Sequence, residues 1–186
     1  QQTPSLYATQ VVQWFELPST LTRLSERPWT ILTYMFSDTG ANLMRILSNM
    51  IWLWAFGYLL QEMTGNDKII PIYIYGGFLG GIVFILANYL IPPLKNTGSY
   101  TSLLGANAAT MAVAMATTTL SPGHRFFTQI RGGIPIWVLM TIYIFIDFAG
   151  VASMGAAYSL SHLRGALAGF LFVVFLRRGQ DGSVWM

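Results

Sequence analysis

Five apolar stretches joined by short polar connectors decide what this chain can fold into. They cover roughly residues 43–61, 69–91, 103–120, 134–151 and 155–176. Each approaches the ~20 apolar residues a helix needs to cross the hydrocarbon layer of a bilayer. Lipid offers no hydrogen bonds to an exposed backbone, so segments of this kind become helices, which satisfy their own amides and carbonyls. Charge points the same way. Only 9% of the residues are charged and 54% are hydrophobic, where a soluble domain carries about 25% charge. The expected class is an all-α membrane protein, a bundle of five transmembrane helices forming one domain over 186 residues.

The connectors are Gln61–Lys68, Pro92–Ser102, Ser121–Gly133 and a tight turn near Gly150–Gly155. The first 42 residues have another character, mixing Trp14, Phe15, Trp29, Tyr34 and Phe36 with Glu16, Arg23, Glu26, Arg27 and Asp38. This reads as short interfacial amphipathic helices with aromatic rings at headgroup level, and Pro28 suits the first turn of the second. The expected division is residues 1–42 as an extracytoplasmic segment, 43–178 as the transmembrane core and 179–186 as a cytoplasmic tail. Five spans put the termini on opposite sides. Lys68, Arg125, Arg131, Arg177 and Arg178 fall on one side, against Arg23, Arg27 and Lys95 on the other. Cationic loops stay cytoplasmic, so the C-terminus is expected in the cytoplasm of an inner or plasma membrane, with Asn107 near the outer surface. The row opens on Gln1, which reads as a fragment or a processed chain, and residues 1–20 hold no apolar run of signal-peptide length. The chain has no cysteine, which excludes disulfides and thiolate metal sites. Its net charge of +3 is thinly spread, which argues against nucleic acid as a partner. No cofactor and no metal are expected.

Small residues mark where helices approach one another. Gly76/Gly80 and Gly77/Gly81 lie in the second span, Gly165/Gly169 in the fifth, and Ala108, Ala112 and Ala116 along one face of the third. In lipid such faces let backbones come close. His162 precedes Gly165 by three residues on the same helix face. A packed Gly165/Gly169 face therefore brings His162 against the helix that begins at Asn107. Asn88 is expected to be a structural hydrogen-bond donor, and His124, in a polar connector, to be solvated.

Three short motifs carry a family resemblance: Arg45-Ile46-Leu47-Ser48-Asn49, Gly105-Ala106-Asn107-Ala108, and His162-Leu163-Arg164-Gly165-Ala166-Leu167-Ala168-Gly169. Together with residues 28–36 and 49–57 they resemble the core of rhomboid intramembrane proteases, and the likeness extends over residues 27–178. The resemblance implies a rhomboid-like helical bundle in which a serine in Gly-x-Ser-Gly attacks the scissile carbonyl. A histidine on the last helix takes the proton, and a His-x-x-x-Asn pair holds the oxyanion. In this chain Asn107 stands at the serine position, Ala108 at the following glycine and Arg45 at the oxyanion histidine. His162 and Asn49 match their counterparts. The family's first transmembrane helix has no counterpart and would precede residue 1.

An amide is not a nucleophile, and the nearest hydroxyls, Ser102 and Thr110, are offset around the helix from Asn107. The remnant site is therefore Asn107, His162, Asn49 and Arg45, with no catalytic set intact. His162 is expected to be a buried histidine bonded to Asn107 or to a backbone carbonyl. Asn107 is expected to satisfy the orphan amides of its helix. Arg164, two residues from His162, points off that face. Arg45 lies inside a span, where a charge costs ~2.5–3.5 kcal/mol on insertion scales. It should snorkel to the outer surface, pair with Asp147, the only acid inside a span, or meet a partner. The function these readings imply is that of a rhomboid-like pseudoprotease, a non-catalytic membrane protein. It would bind transmembrane helices of clients or act as a subunit of a membrane assembly, with lipid and other membrane proteins as partners. The alternative is an active rhomboid-type serine protease with a displaced nucleophile.

Overall fold

The computed structural model describes residues 10–38, 43–90, 102–126, 132–149 and 156–184, with the side chains of 147–149 and 156–164 set aside. Apart from turns, connectors and four two-residue strands, the described chain is helical. Residues 10–38 form single turns and two short helices, α1 (Leu21–Glu26) and α2 (Thr30–Thr33). Five longer helices follow: α3 (Leu43–Thr64), α4 (Ile69–Leu90), α5 (Asn107–Leu120), α6 (Ile136–Ala149) and α7 (Ala156–Arg177). They coincide with the five apolar stretches. By length and composition, Leu43–Thr64 and Asn66–Leu90 are long and apolar enough to cross a membrane, while Ile136–Ile146 and Gly165–Arg177 are shorter apolar segments. The expectation of five full spans is thus met by two helices among the described residues. The 14 residues of α5 rise only about 21 Å, well short of a bilayer core.

Helix α5 is the axis of the fold. It touches α3, α4, α6 and α7, and Ala108 to Ala114 are all buried. A helix apolar all round belongs inside a bundle rather than against lipid. Its alanines explain how four neighbours fit. A Cβ on Gly165 would collide with the Ala108 carbonyl, one on Gly169 with the Ala112 carbonyl, and one on Gly76 with the Ala112 side chain. Backbone therefore rests on backbone where α7 and α4 meet α5, which is the close approach small residues permit in lipid. Beneath this layer Phe56, Leu60, Ile72, Met111, Ile136 and Val173 form the main apolar core.

The N-terminal segment is tied to α4. Gly77 and Gly81 open a shallow seat for Met35, Tyr34 and Leu17. The Tyr34 hydroxyl donates to the Gly77 carbonyl at 2.6 Å and the Tyr73 hydroxyl to the Met35 carbonyl at 2.8 Å. The two overlapping Gly-xxx-Gly pairs thus serve different partners: Gly76 faces α5, while Gly77 and Gly81 face residues 17–35. Aromatic rings crowd the surface of this segment. Trp14 and Trp29 stack at 6.1 Å, the Arg27 guanidinium lies 4.5 Å from the Trp14 ring centre, and both indoles stay nearly half exposed. At the opposite end of the bundle the tail folds back. Lys68 binds the Asp181 carboxylate and the Ser183 hydroxyl, and the Tyr75 hydroxyl donates to the Gly182 carbonyl at 2.8 Å.

Candidate functional site

The start of α5 is held by the N-terminal segment. Strand β1 (Leu17–Pro18) pairs antiparallel with β2 (Ser102–Leu103), and the Ser102 hydroxyl donates to the Glu16 carboxylate at 2.8 Å. Gly105 then turns the chain with φ +117°, a conformation closed to most side chains. Its N–H donates to the Tyr34 carbonyl at 3.0 Å. Ala106 occupies the cap position and offers no side-chain acceptor, so Asn107 is the first helical residue rather than the cap. The expected capping role of Asn107 is corrected accordingly. Its side-chain oxygen instead accepts a hydrogen bond from the Asn49 amide.

Asn49 is placed by α3, which runs parallel to α5. The same interface carries a second polar link below, where the Thr117 hydroxyl lies 3.1 Å from the Phe56 carbonyl and 2.7 Å from that of Val113. Asn49 is buried, and its burial is made tolerable by its bond to Asn107. Two of the four remnant-site residues are thereby brought into direct contact.

A third is aligned through its helix. Gly165 faces Ala108 and Gly169 faces Ala112, so α7 and α5 run parallel and in register. Position 162 lies one turn before Gly165, level with the Gly105–Ala106 turn, at the end of α5 where Asn49 meets Asn107. The side chains of His162 and Arg164 lie outside the described residues, so the expected bond from His162 to Asn107 falls there too.

Arg45 finds an acid that the sequence reading did not single out, while Asp147, the partner considered there, has its side chain outside the described residues. Its guanidinium forks onto Asp38, with Nε donating to Oδ2 at 3.0 Å and Nη2 to Oδ1 at 2.6 Å. Both side chains are largely buried, 19% and 14% exposed. A planar, bidentate pair of this kind is what the guanidinium fork favours. It anchors the end of the N-terminal segment to the first turn of α3. Asp38 was legible only as one acid among several in an interfacial stretch. The signal that would have found it is its position seven residues before a cation in need of a partner.

The hydroxyls near Asn107 divide. Ser102 is engaged by Glu16, one loop away. Thr110 is fully buried one turn deeper on α5, and its hydroxyl has no partner among the described residues. Thr117, Thr118 and Thr119 each donate back to the carbonyl four residues earlier, as helical threonines do. Asn88 donates to the Phe84 carbonyl at 2.8 Å, the structural role expected of it. His124 lies edge-on to Phe126 in the connector before α6. Among the described residues no three His, Cys, Asp or Glu side chains gather as a metal site would require.

Comparison with known proteins places these features in a family. The rhomboid domain model matches residues 25–179. The presenilin-associated rhomboid-like protein, mitochondrial, of Rattus norvegicus is 24% identical over 180 residues, covering 92% of this chain and 43% of its own. RHOMBOID-like protein 12, mitochondrial, of Arabidopsis thaliana is 27% identical over 166 residues, covering 84% and 48%. Rhomboid-like protein 17, chloroplastic, from the same plant is 24% identical over 124 residues, covering 55% and 39%. This chain spans less than half the length of these relatives.

Proposed function

This chain belongs to the rhomboid family, and from that premise we propose that it is a non-catalytic member, a membrane protein that binds transmembrane helices of other proteins without cleaving them. The observation that supports this most is the Asn49–Asn107 bond. At the position where the family's motif has its nucleophile there is a carboxamide. Its oxygen is turned toward Asn49, the residue the resemblance assigns to the oxyanion. Acyl transfer needs a nucleophile that a base can deprotonate, and an amide has no such proton. Donors that would otherwise wait for a developing negative charge are here spent on a permanent neutral acceptor.

The expected orientation, with the C-terminus on the cytoplasmic side and the Asn49–Asn107 pair toward the outer surface, belongs to the same reading. The experiment is cleavage of a transmembrane reporter by purified protein in vesicles. No product is expected from the natural chain. The Asn107→Ser/Ala108→Gly double variant restores the motif and is expected to stay well below a competent rhomboid, because Arg45 is committed to Asp38. A second reading, an enzyme with a displaced nucleophile, has one observation in its favour, the unpartnered hydroxyl of Thr110. Activity in the natural chain that vanished in Thr110→Val would select it.

A further inference from the structure

We propose that the groove between α4 and α7 holds one anionic phospholipid, with an acyl chain against both helices and its phosphate on Arg178. This holds whether or not the chain cleaves anything, since a membrane setting is all it requires.

The groove is shaped by the way α7 ends. Gly179 stands at φ +81°. Its N–H donates to the Leu176 carbonyl and the N–H of Gln180 to that of Phe175, both at 3.0 Å. This is the left-handed helix stop that glycine permits. It reverses the chain, so residues 180–184 turn back over the bundle. The rings of Phe172 on α7 and Tyr75 on α4 lie 3.4 and 3.7 Å from where a Cβ on Gly182 would stand, and the Tyr75 hydroxyl donates to the Gly182 carbonyl. Lys68 holds the neighbouring Asp181. The tail thus lies across both helices and closes one end of a groove of about 580 Å³. Its walls are Phe78 and Leu79 on α4 and Leu171 and Phe175 on α7.

Length decides the occupant. The part of α7 that lines the groove, Ala168 to Phe175, rises about 10 Å. That is less than half of the ~30 Å hydrocarbon core, so the groove stays within one leaflet. A membrane-spanning helix, of this chain or of another, needs the whole thickness and would run into the tail. An acyl chain needs one leaflet and ends where the tail begins.

Charge decides the headgroup. Lys68, Arg177 and Arg178 gather at this end of the bundle. Lys68 is committed to Asp181 and Ser183, and Arg177 to the carbonyls of Thr119 and Leu120 at the end of α5. Arg178 is exposed, and its guanidinium has no partner among the described residues. It follows Phe175 by about one turn and precedes Gln180 by two residues, and both of those line the groove. Arg178 therefore stands at the mouth. The acid there, Asp181, is offset by Lys68, which leaves Arg178 uncompensated. A guanidinium takes phosphate through paired N–H groups, and cations beside a span draw anionic lipid.

The test uses the full chain in phosphatidylcholine vesicles with a minor share of phosphatidylglycerol, one lipid at a time carrying a photoactivated diazirine on its acyl chain. Adducts are mapped by peptide mass spectrometry. Phosphatidylglycerol adducts are expected to concentrate on Phe78, Leu79, Leu171 and Phe175 over Ile51 and Phe145, which lie outside the groove although they are well exposed. Arg178→Gln should lower the phosphatidylglycerol yield in the groove about fivefold, the weight of one cation at an anionic surface, and leave the phosphatidylcholine yield unchanged. Leu171→Trp fills the groove and should lower the yield of both lipids there, with thermal unfolding as the folding control. Adducts spread evenly over groove and reference positions would overturn the site. Equal groove yields for the two lipids, or a phosphatidylglycerol yield indifferent to Arg178→Gln, would overturn the anionic headgroup. A benzophenone at position 171 that captured peptide rather than lipid would overturn lipid as the occupant.

Discussion

Arg45 shows how a charge in an apolar stretch is stabilised by a residue outside it. Asp38 accepts two hydrogen bonds from its guanidinium, and both groups are mostly withdrawn from water. Hydrogen bonds to charged groups contribute about 1.5–3 kcal/mol, and removing one partner leaves the other charge stranded. Arg45→Leu should therefore destabilise the fold, and Asp38→Leu likewise, while the double variant should lose less than the sum of the two. A double-mutant cycle on thermal unfolding in mild detergent measures this, and additive losses would mean the pair does not couple. The same pair bears on chemistry. With Arg45 held by Asp38, restoring a serine at 107 supplies a nucleophile without the family's oxyanion histidine.

At the level of elements, α5 depends on its glycine neighbours. Gly165→Val places a side chain on the Ala108 carbonyl, which is backbone and cannot give way. Overpacking typically costs about 1–3 kcal/mol, and a clash with backbone belongs at or beyond the upper end of that range. At Gly57 an added Cβ meets nothing within 4 Å, so Gly57→Ala should leave Tm nearly unchanged or raise it, since alanine is the better helix former. Equal losses in the two variants would contradict the packing described here. The helices themselves were legible in the sequence because apolar length and small-residue spacing are local signals. The Gly165/Gly169 face predicted the α5–α7 contact from spacing alone. The Asn49–Asn107 contact was reachable only through the family resemblance, because two asparagines 58 residues apart carry no local pattern. The Arg45–Asp38 pair was out of reach for the same reason. Tertiary folding of the N-terminal segment chose the partner, and no periodicity records that choice. The late start of α5 at Asn107 was legible too, and Gly105 turns the chain just before it.

For the whole molecule, the first and last described segments act as clasps at opposite ends of the bundle. Residues 10–38 hold the start of α5, and residues 179–184 return to α4. Hydrogen bonds from Lys68 and from the Ser183 hydroxyl and N–H lower the Asp181 pKa from 3.8 to about 2. A depressed carboxylate stabilises the folded state fully above its unfolded pKa, and that contribution is lost as pH falls through the folded value. Tail anchoring should therefore be constant from neutral pH down to about 4 and weaken between there and about 2. Protease accessibility of the tail across that range reads this directly, and Asp181→Asn should abolish the dependence. A tail equally protected at both ends of the range would show that the Lys68 clasp does not hold it.

The central claim is that the site holds helices without cutting them, and its most direct measurement is labelling by a serine-directed fluorophosphonate in native membranes. The natural chain should take up no probe, and His162→Ala should leave that baseline unchanged. Labelling of the natural chain that disappeared in His162→Ala would contradict the account, because it would require a hydroxyl activated by His162 where Asn107 and Asn49 are bonded to each other.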